Sequence, residues 1–174
     1  MVILGRDQRV KQRLSMRLGK KSIFAVVVIG LILIGIGVFG LFLLNQEPEG
    51  GFGIYVSGNN QLIISDRDIV WYNWTSHEIK LTAEGLGKIE ALKVPMSGTP
   101  FVIKLNGKEI YNGSFWVSIS SISYSGIVIN TLEIQNNIVK IEKGYPSSGF
   151  FKGTDPRNNS EIFDYFQKIG KLVQ

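Results

Sequence analysis

The longest apolar pattern in the chain runs without a charge from Ser22 to Leu44, SIFAVVVIGLILIGIGVFGLFLL. No polar stripe recurs along it at helical spacing, so it does not read as the buried helix of a soluble core. As a helix its 23 residues span roughly 34 Å at about 1.5 Å per residue, which predicts one transmembrane helix across a hydrocarbon layer of about 30 Å. After a Pro/Gly linker over residues 45–53, NQEPEGGFG, the pattern changes to short runs punctuated by turns. Ile54–Ser57 and Gln61–Ser65 flank Gly58-Asn59-Asn60, Ile69–Trp74 is aromatic and β-prone, and Glu78–Thr82 alternates with Ile79 and Leu81 on one face. From Ala83 to Lys93 the period lengthens, and Leu86, Ile89 and Leu92 predict a short helix that stops before Pro95.

Two asparagine turns then set hairpin registers. Asn106-Gly107 tolerates positive φ at both positions and predicts a two-residue hairpin, pairing Leu105 with Lys108, Lys104 with Glu109 and Ile103 with Ile110. Around Asn136-Asn137 the same rule sets Ile134 opposite Val139, Glu133 opposite Lys140 and Leu132 opposite Ile141. Between them, FWVSISSISYSGIVI over residues 115–129 reads as two strands broken near Ser125-Gly126. Gly144–Arg157 reads as a loop, and Asn159–Leu172 as an amphipathic helix with Ile162, Phe163, Phe166 and Ile169 on one stripe, capped by Asn159 or Ser160. The order predicts an α+β domain over residues 54–174 with a mainly antiparallel sheet, a short helix and a C-terminal helix. The helix between Ile79–Leu81 and the strand at Phe101 is the kernel of a ferredoxin-like or split β-α-β unit.

The stretch Ile79–Gly113, IKLTAEGLGKIEALKVPMSGTPFVIKLNGKEIYNG, resembles the extracytoplasmic P1 region of SecD-type protein-export subunits. The similarity lies in Leu81-Thr82-Ala83-Glu84-Gly85 opening a helix, in Gly98-Thr99-Pro100-Phe101 leading into a strand, and in the Asn106-Gly107-Lys108 turn. It implies a strand–helix–strand unit in a domain outside the cytoplasm. SecD-type proteins carry six membrane helices and a charged intramembrane residue for proton coupling. This chain has one predicted helix without such a residue, so the resemblance implies fold and sidedness, not translocase activity.

Charge changes the picture through its distribution. The formal net charge of +5 splits into +6 through Lys21 and −1 beyond it, so the high isoelectric point belongs to the arm over residues 1–21. A near-neutral remainder lacks the electrostatic footprint of a nucleic-acid binder. A basic arm before the apolar run, with Glu47 and Glu49 after it, predicts a cytoplasmic N-terminus and an extracytoplasmic C-terminal domain. The chain has no cysteine, which excludes disulfides, thiolate ligands, a cysteine nucleophile and a lipobox. The run is long for a cleaved signal peptide and lacks a small-x-small site after it, so a signal-anchor is expected.

The chemistry-bearing residues are few. His77, the one histidine, has no partner set at metal-ligand spacing and no G-x-S-x-G element to serve, so neither a metal nor another cofactor is expected. Trp71, Trp74, His77 and Trp116 form the candidate binding patch, since Trp71 and Trp74 fall on opposite faces of a regular strand. Asn73, Asn112 and Asn158 open glycosylation sequons on the predicted outer side. These features together predict a non-enzymatic module, held in the lipid through residues 22–44, that binds or scaffolds another protein of the cell envelope. A pilin-like subunit processed near Gly19 and an envelope hydrolase using His77 are the alternatives.

Overall fold

From within the predicted linker, where Phe52 opens the first strand, the chain folds as a two-sheet α+β unit, and each sheet grows from local hairpins that recruit a distant strand. In the computed structural model the described residues are 29–30 and 50–174. The arm, the apolar segment apart from Ile29 and Gly30, and the linker through Glu49 lie outside them. Among the described residues no helix is long and apolar enough to cross a membrane. Residues 50–174 form one compact unit.

The larger sheet contains β1 (Phe52–Val56), β2 (Leu62–Ser65), β5 (Thr99–Leu105), β6 (Lys108–Trp116), β7 (Tyr124–Asn130) and β9 (Glu142–Tyr145), in the order β2-β1-β5-β6-β7-β9. The smaller contains β3 (Ile69–Asn73), β4 (Glu78–Leu81), β8 (Ile138–Lys140) and β10 (Leu172–Val173), in the order β10-β3-β4-β8. Two helices complete the unit, α1 (Ala83–Glu90) and α2 (Ser160–Lys168). One core joins them all: Ile54, Ile103 and Ile127 from the larger sheet, Tyr72, Ile79 and Val139 from the smaller, and Ile89 and Phe166 from the helices. Pairing is antiparallel except for β6 with β7 and β10 with β3.

The ferredoxin-like kernel is not present. Strands β4 and β5 flank α1 in sequence but lie in different sheets, so α1 carries the chain between sheets. Each strand already has a close hairpin partner, β3 for β4 and β6 for β5. The Asn106-Gly107 hairpin has φ of +50° and +79° and keeps the expected Leu105–Lys108 and Lys104–Glu109 pairs, the latter an ion pair at 3.3 Å. Beyond them the register slips, and Ile103 faces Tyr111 in place of Ile110. The slip is a β-bulge that turns the Tyr111 ring into the core and leaves Ile110 half-buried.

Three further expectations change. The Asn136-Asn137 turn forms with φ of +52° and +58°, but only Gln135 and Ile138 bridge across it. Strand β8 pairs with β4 instead, setting Val139 opposite Ile79 and Lys140 opposite Glu78. The break in residues 115–129 falls at 117–123, and this short link joins parallel neighbours, a connection that usually takes about a dozen residues or more. Tyr145 straps it down by donating its hydroxyl to the Ser118 and Ser120 carbonyls at 2.7 and 3.0 Å. Helix α2 starts under an Asn159 cap and stops at Lys168, because Gly170 takes φ +70° and turns the chain into β10.

The two glycines of α1 differ in kind. A Cβ on Gly85 would meet the Asp68 Cβ at 2.8 Å and its carbonyl oxygen at 2.9 Å, whereas one on Gly87 would meet nothing. Gly87→Ala should therefore stabilise the fold by about 0.5–1 kcal/mol through helix propensity. Gly85→Ala should destabilise it by about 1–3 kcal/mol through overpacking against the backbone. Urea unfolding monitored by tryptophan fluorescence checks the pair, and equal signs would contradict the packing of α1.

Candidate functional site

The turn between β3 and β4 decides where the histidine goes. Asn73 Oδ1 accepts from the Thr75 and Ser76 amides, both at 2.9 Å, and His77 then takes a left-handed φ of +53°. That conformation sends the ring inward. His77 is 6% exposed, and its Nδ1 shares a hydrogen bond with the Tyr72 hydroxyl at 2.8 Å. Trp74 lies with its ring 5.9 Å from His77 and 5.0 Å from Phe163.

The four residues of the expected patch do not come together. Trp74 and His77 share one aromatic group, and Trp71 stands half-buried opposite Lys80 in β3. Trp116 is 2% exposed in the larger sheet, with Tyr124 stacked on it at 5.2 Å and Tyr145 at 5.8 Å. Of the sequon asparagines, Asn112 and Asn158 are exposed, while Asn73 is half-buried and holds the turn.

Beneath His77 lies a polar brace. Arg157 donates Nε and Nη2 to the two oxygens of Asp155 at 2.9 and 2.7 Å, and Nη1 to the Ile141 carbonyl at 2.6 Å. Lys143 adds an ion pair to Asp155 at 3.4 Å. The Arg157 hydrogen bonds hold the Asp155 carboxyl well below the usual carboxylate range. Burial lowers the His77 imidazole from its ordinary 6.5, and the Arg157 and Lys143 charges lower it further against the opposing pull of Asp155. Burial also raises the Tyr72 hydroxyl, so the pair is neutral at pH 7.

The brace holds the chain where it leaves the smaller sheet at Lys140 and enters the larger one at Glu142, and a groove opens at that seam. Two adjoining hollows of about 410 and 440 Å³ share Glu78, Asn130, Glu133, Lys140 and Glu142 as walls. Lys140 is spoken for by Glu78 at 3.3 Å. Glu133 and Glu142 have no cation partner of their own among the described residues, and the Glu142 carboxyl is raised by desolvation and by the Glu133 charge, against the weaker pull of Lys140 and Arg157. Asn130, 7% exposed, accepts from the Leu132 amide through Oδ1, and its amide nitrogen has no protein partner among the described residues. No group of three or more acidic or histidine side chains suits a metal ion there, or elsewhere among the described residues.

No family model, curated protein or solved structure matches the chain. The site is therefore argued from its own geometry. Sequence reasoning paired Glu133 with Lys140 and so hid the groove, and it gave no role to Asn130, Glu142 or Arg157. The available signal was the alternation Glu78/Ile79/Lys80/Leu81 and Ile138/Val139/Lys140/Ile141, which marks two half-buried strands fit to pair with each other.

The lone histidine gives a clean test. A base whose folded pKa is depressed binds more protons when unfolded, so its contribution is full above about pH 6.5 and is lost as pH falls below that value. The His77 ring protons should titrate below 6.5 by NMR, and unfolding free energy should decline on acidification from there. His77→Gln should flatten that limb. The loss tied to Asp155 comes separately, at a pH below its ordinary 3.8. A His77 midpoint at or above 6.5 would contradict the buried placement.

Proposed function

We propose that this protein is a single-pass membrane protein with a cytoplasmic N-terminus, whose outer α+β domain is a non-enzymatic module that binds another envelope protein at the seam groove. The uncharged segment Ser22–Leu44 behind a +6 arm supports the anchor and its orientation. The SecD-type resemblance of residues 79–113 supports the same sidedness.

One observation carries the binding half of the reading, the polarity of the domain. The chain enters at Gly51, whose amide donates to Asn106 Oδ1 at 2.9 Å and whose carbonyl accepts from the Asn106 amide at 2.9 Å. Strand β6 starts beside that turn at Lys108 and ends at Trp116, level with Asn130 of β7. The groove at Asn130 is thus one strand length from the entry point, roughly 25 Å at about 3.3 Å per residue. A site at that end is set apart from the residues through which the chain enters the domain, which leaves it clear of the tether's attachment.

The absence of cysteine permits a direct test. Single cysteines in place of Ser15, Asn112 and Gln135 report on the arm, on an exposed strand position and on the groove. An impermeant maleimide should label positions 112 and 135 in intact cells and position 15 only after permeabilisation. A short cysteine-directed cross-linker should give discrete adducts from position 135 and none from 112. The inverse labelling would overturn the topology, and adducts absent from 135 would overturn the binding role. An N-terminus beginning after Gly19 in the mature protein would favour a pilin-like subunit instead.

A further inference from the structure

The groove has a backbone wall as well as a charged rim. Along β8 the Leu81 amide donates to the Asn137 carbonyl at 2.8 Å, and the Ile141 amide donates to the His77 carbonyl at 3.0 Å. Neighbouring residues of an antiparallel strand point their N–H and C=O groups to opposite sides. Asn137, Val139 and Ile141 therefore face β4, and Ile138 and Lys140 face the other way. The Ile138 amide is taken up by Gln135 at 2.9 Å across the Asn turn. Gln135 and Ile138 form an antiparallel bridge, so the edge is taken at Ile138, whereas the Lys140 amide and carbonyl have no partner among the described residues, and β8 ends its sheet on that side. Lys140 lines both hollows, so this unpaired stretch of edge opens into the groove.

Three independent features thus converge on one volume: an open strand edge, the free Asn130 amide nitrogen, and two carboxylates without a counter-ion among the described residues. A sheet edge binds extended backbone by strand addition, and rim charge selects its side chains. We propose that the groove takes an extended peptide segment of the partner, which adds as a strand beside β8 and seats a Lys or Arg side chain between Glu133 and Glu142. The inference rests on the partner-binding reading above and gives that partner's chemistry. The Asn130 amide would donate to a carbonyl of the incoming segment, and Lys140, held to Glu78, leaves the two remaining carboxylates to the guest. An acidic or neutral segment would leave that pair of like charges uncompensated.

The test uses the full chain in detergent micelles and three fluorescent peptides: acetyl-Thr-Val-Lys-Val-Thr-amide, its Glu-centred counterpart, and the Lys peptide N-methylated at both valines. Anisotropy should show the Lys peptide binding roughly tenfold or more tightly than the Glu peptide, a preference that weakens with salt. The double variant Glu133→Gln/Glu142→Gln should erase that preference; both side chains are exposed, and unchanged circular dichroism would verify the fold. N-methylation should abolish binding by removing the backbone donors. In amide NMR spectra the Lys140 resonance should shift with the Lys peptide. Equal binding of Lys and Glu peptides, indifference to N-methylation, or no Lys140 shift up to millimolar peptide would each overturn the inference. If the peptides fail while adducts from position 135 persist, the partner docks at the groove by other chemistry and only the peptide class is lost. If adducts fail while the peptides bind, the partner-binding role falls and the groove chemistry stands.

Discussion

Much of this domain depends on the pairing of β8 with β4. Strand β4 emerges from its hairpin with β3 carrying Ile79 and Leu81 on one face and a bare edge on the other side. A return of residues 138–141 along 132–134 would have made one exposed ion pair, worth up to about 1 kcal/mol. Crossing to β4 covers that edge and buries Val139 and Ile141 in the common core, at roughly 1.5–3 kcal/mol for each side chain. Burial wins over local charge. Leu132 is then left 57% exposed, and Glu133 loses Lys140 to Glu78.

That choice creates a second requirement. The chain must pass from one sheet to the other within a residue or two, at Ile141, and backbone that changes sheets loses ladder partners. The Ile141 carbonyl is met by Arg157, whose remaining donors are neutralised by Asp155. A cation brought this far inside is tolerable because it is doubly hydrogen-bonded to a carboxylate and shares it with Lys143. The same positive charges help keep His77 neutral, so the inward histidine and the seam belong to one electrostatic unit. The Arg157 brace and the open edge of β8 are consequences of one crossing.

Local chemistry was legible in the sequence wherever a turn dictates its own geometry. Asn106-Gly107 and Asn136-Asn137 both turn left-handed as their side chains allow, and Thr82 and Asn159 cap the helices they precede. The strand pairing beyond each turn was less legible, because register answers to the core. The bulge that exchanges Ile110 for Tyr111 is invisible to alternation, since both residues are apolar enough to bury. The candidate aromatic residues are dispersed for a related reason: Trp116 ends a strand of the larger sheet, whereas Trp74 lies in the turn that follows β3 of the smaller one. The groove was the least legible feature, because an unpaired edge is defined by which strand never arrives.

The charge distribution gains meaning from this geometry. Beyond Lys21 the chain is close to neutral, yet Lys88, Lys104, Lys108, Lys140 and Lys143 each sit within 3.4 Å of a carboxylate. Ion pairs thus take up about half of the described cations, and the groove holds a local imbalance. Glu133 and Glu142 form such an imbalance, and they border the backbone edge that β8 leaves open. Exposed edges are usually blunted by lysine or covered by a helix or loop, because unpaired strand groups invite other chains. Here Lys140 is drawn off to Glu78 and the rim is acidic. An acidic rim disfavours acidic strands and favours a basic one, which is the selectivity that the proposed docking requires.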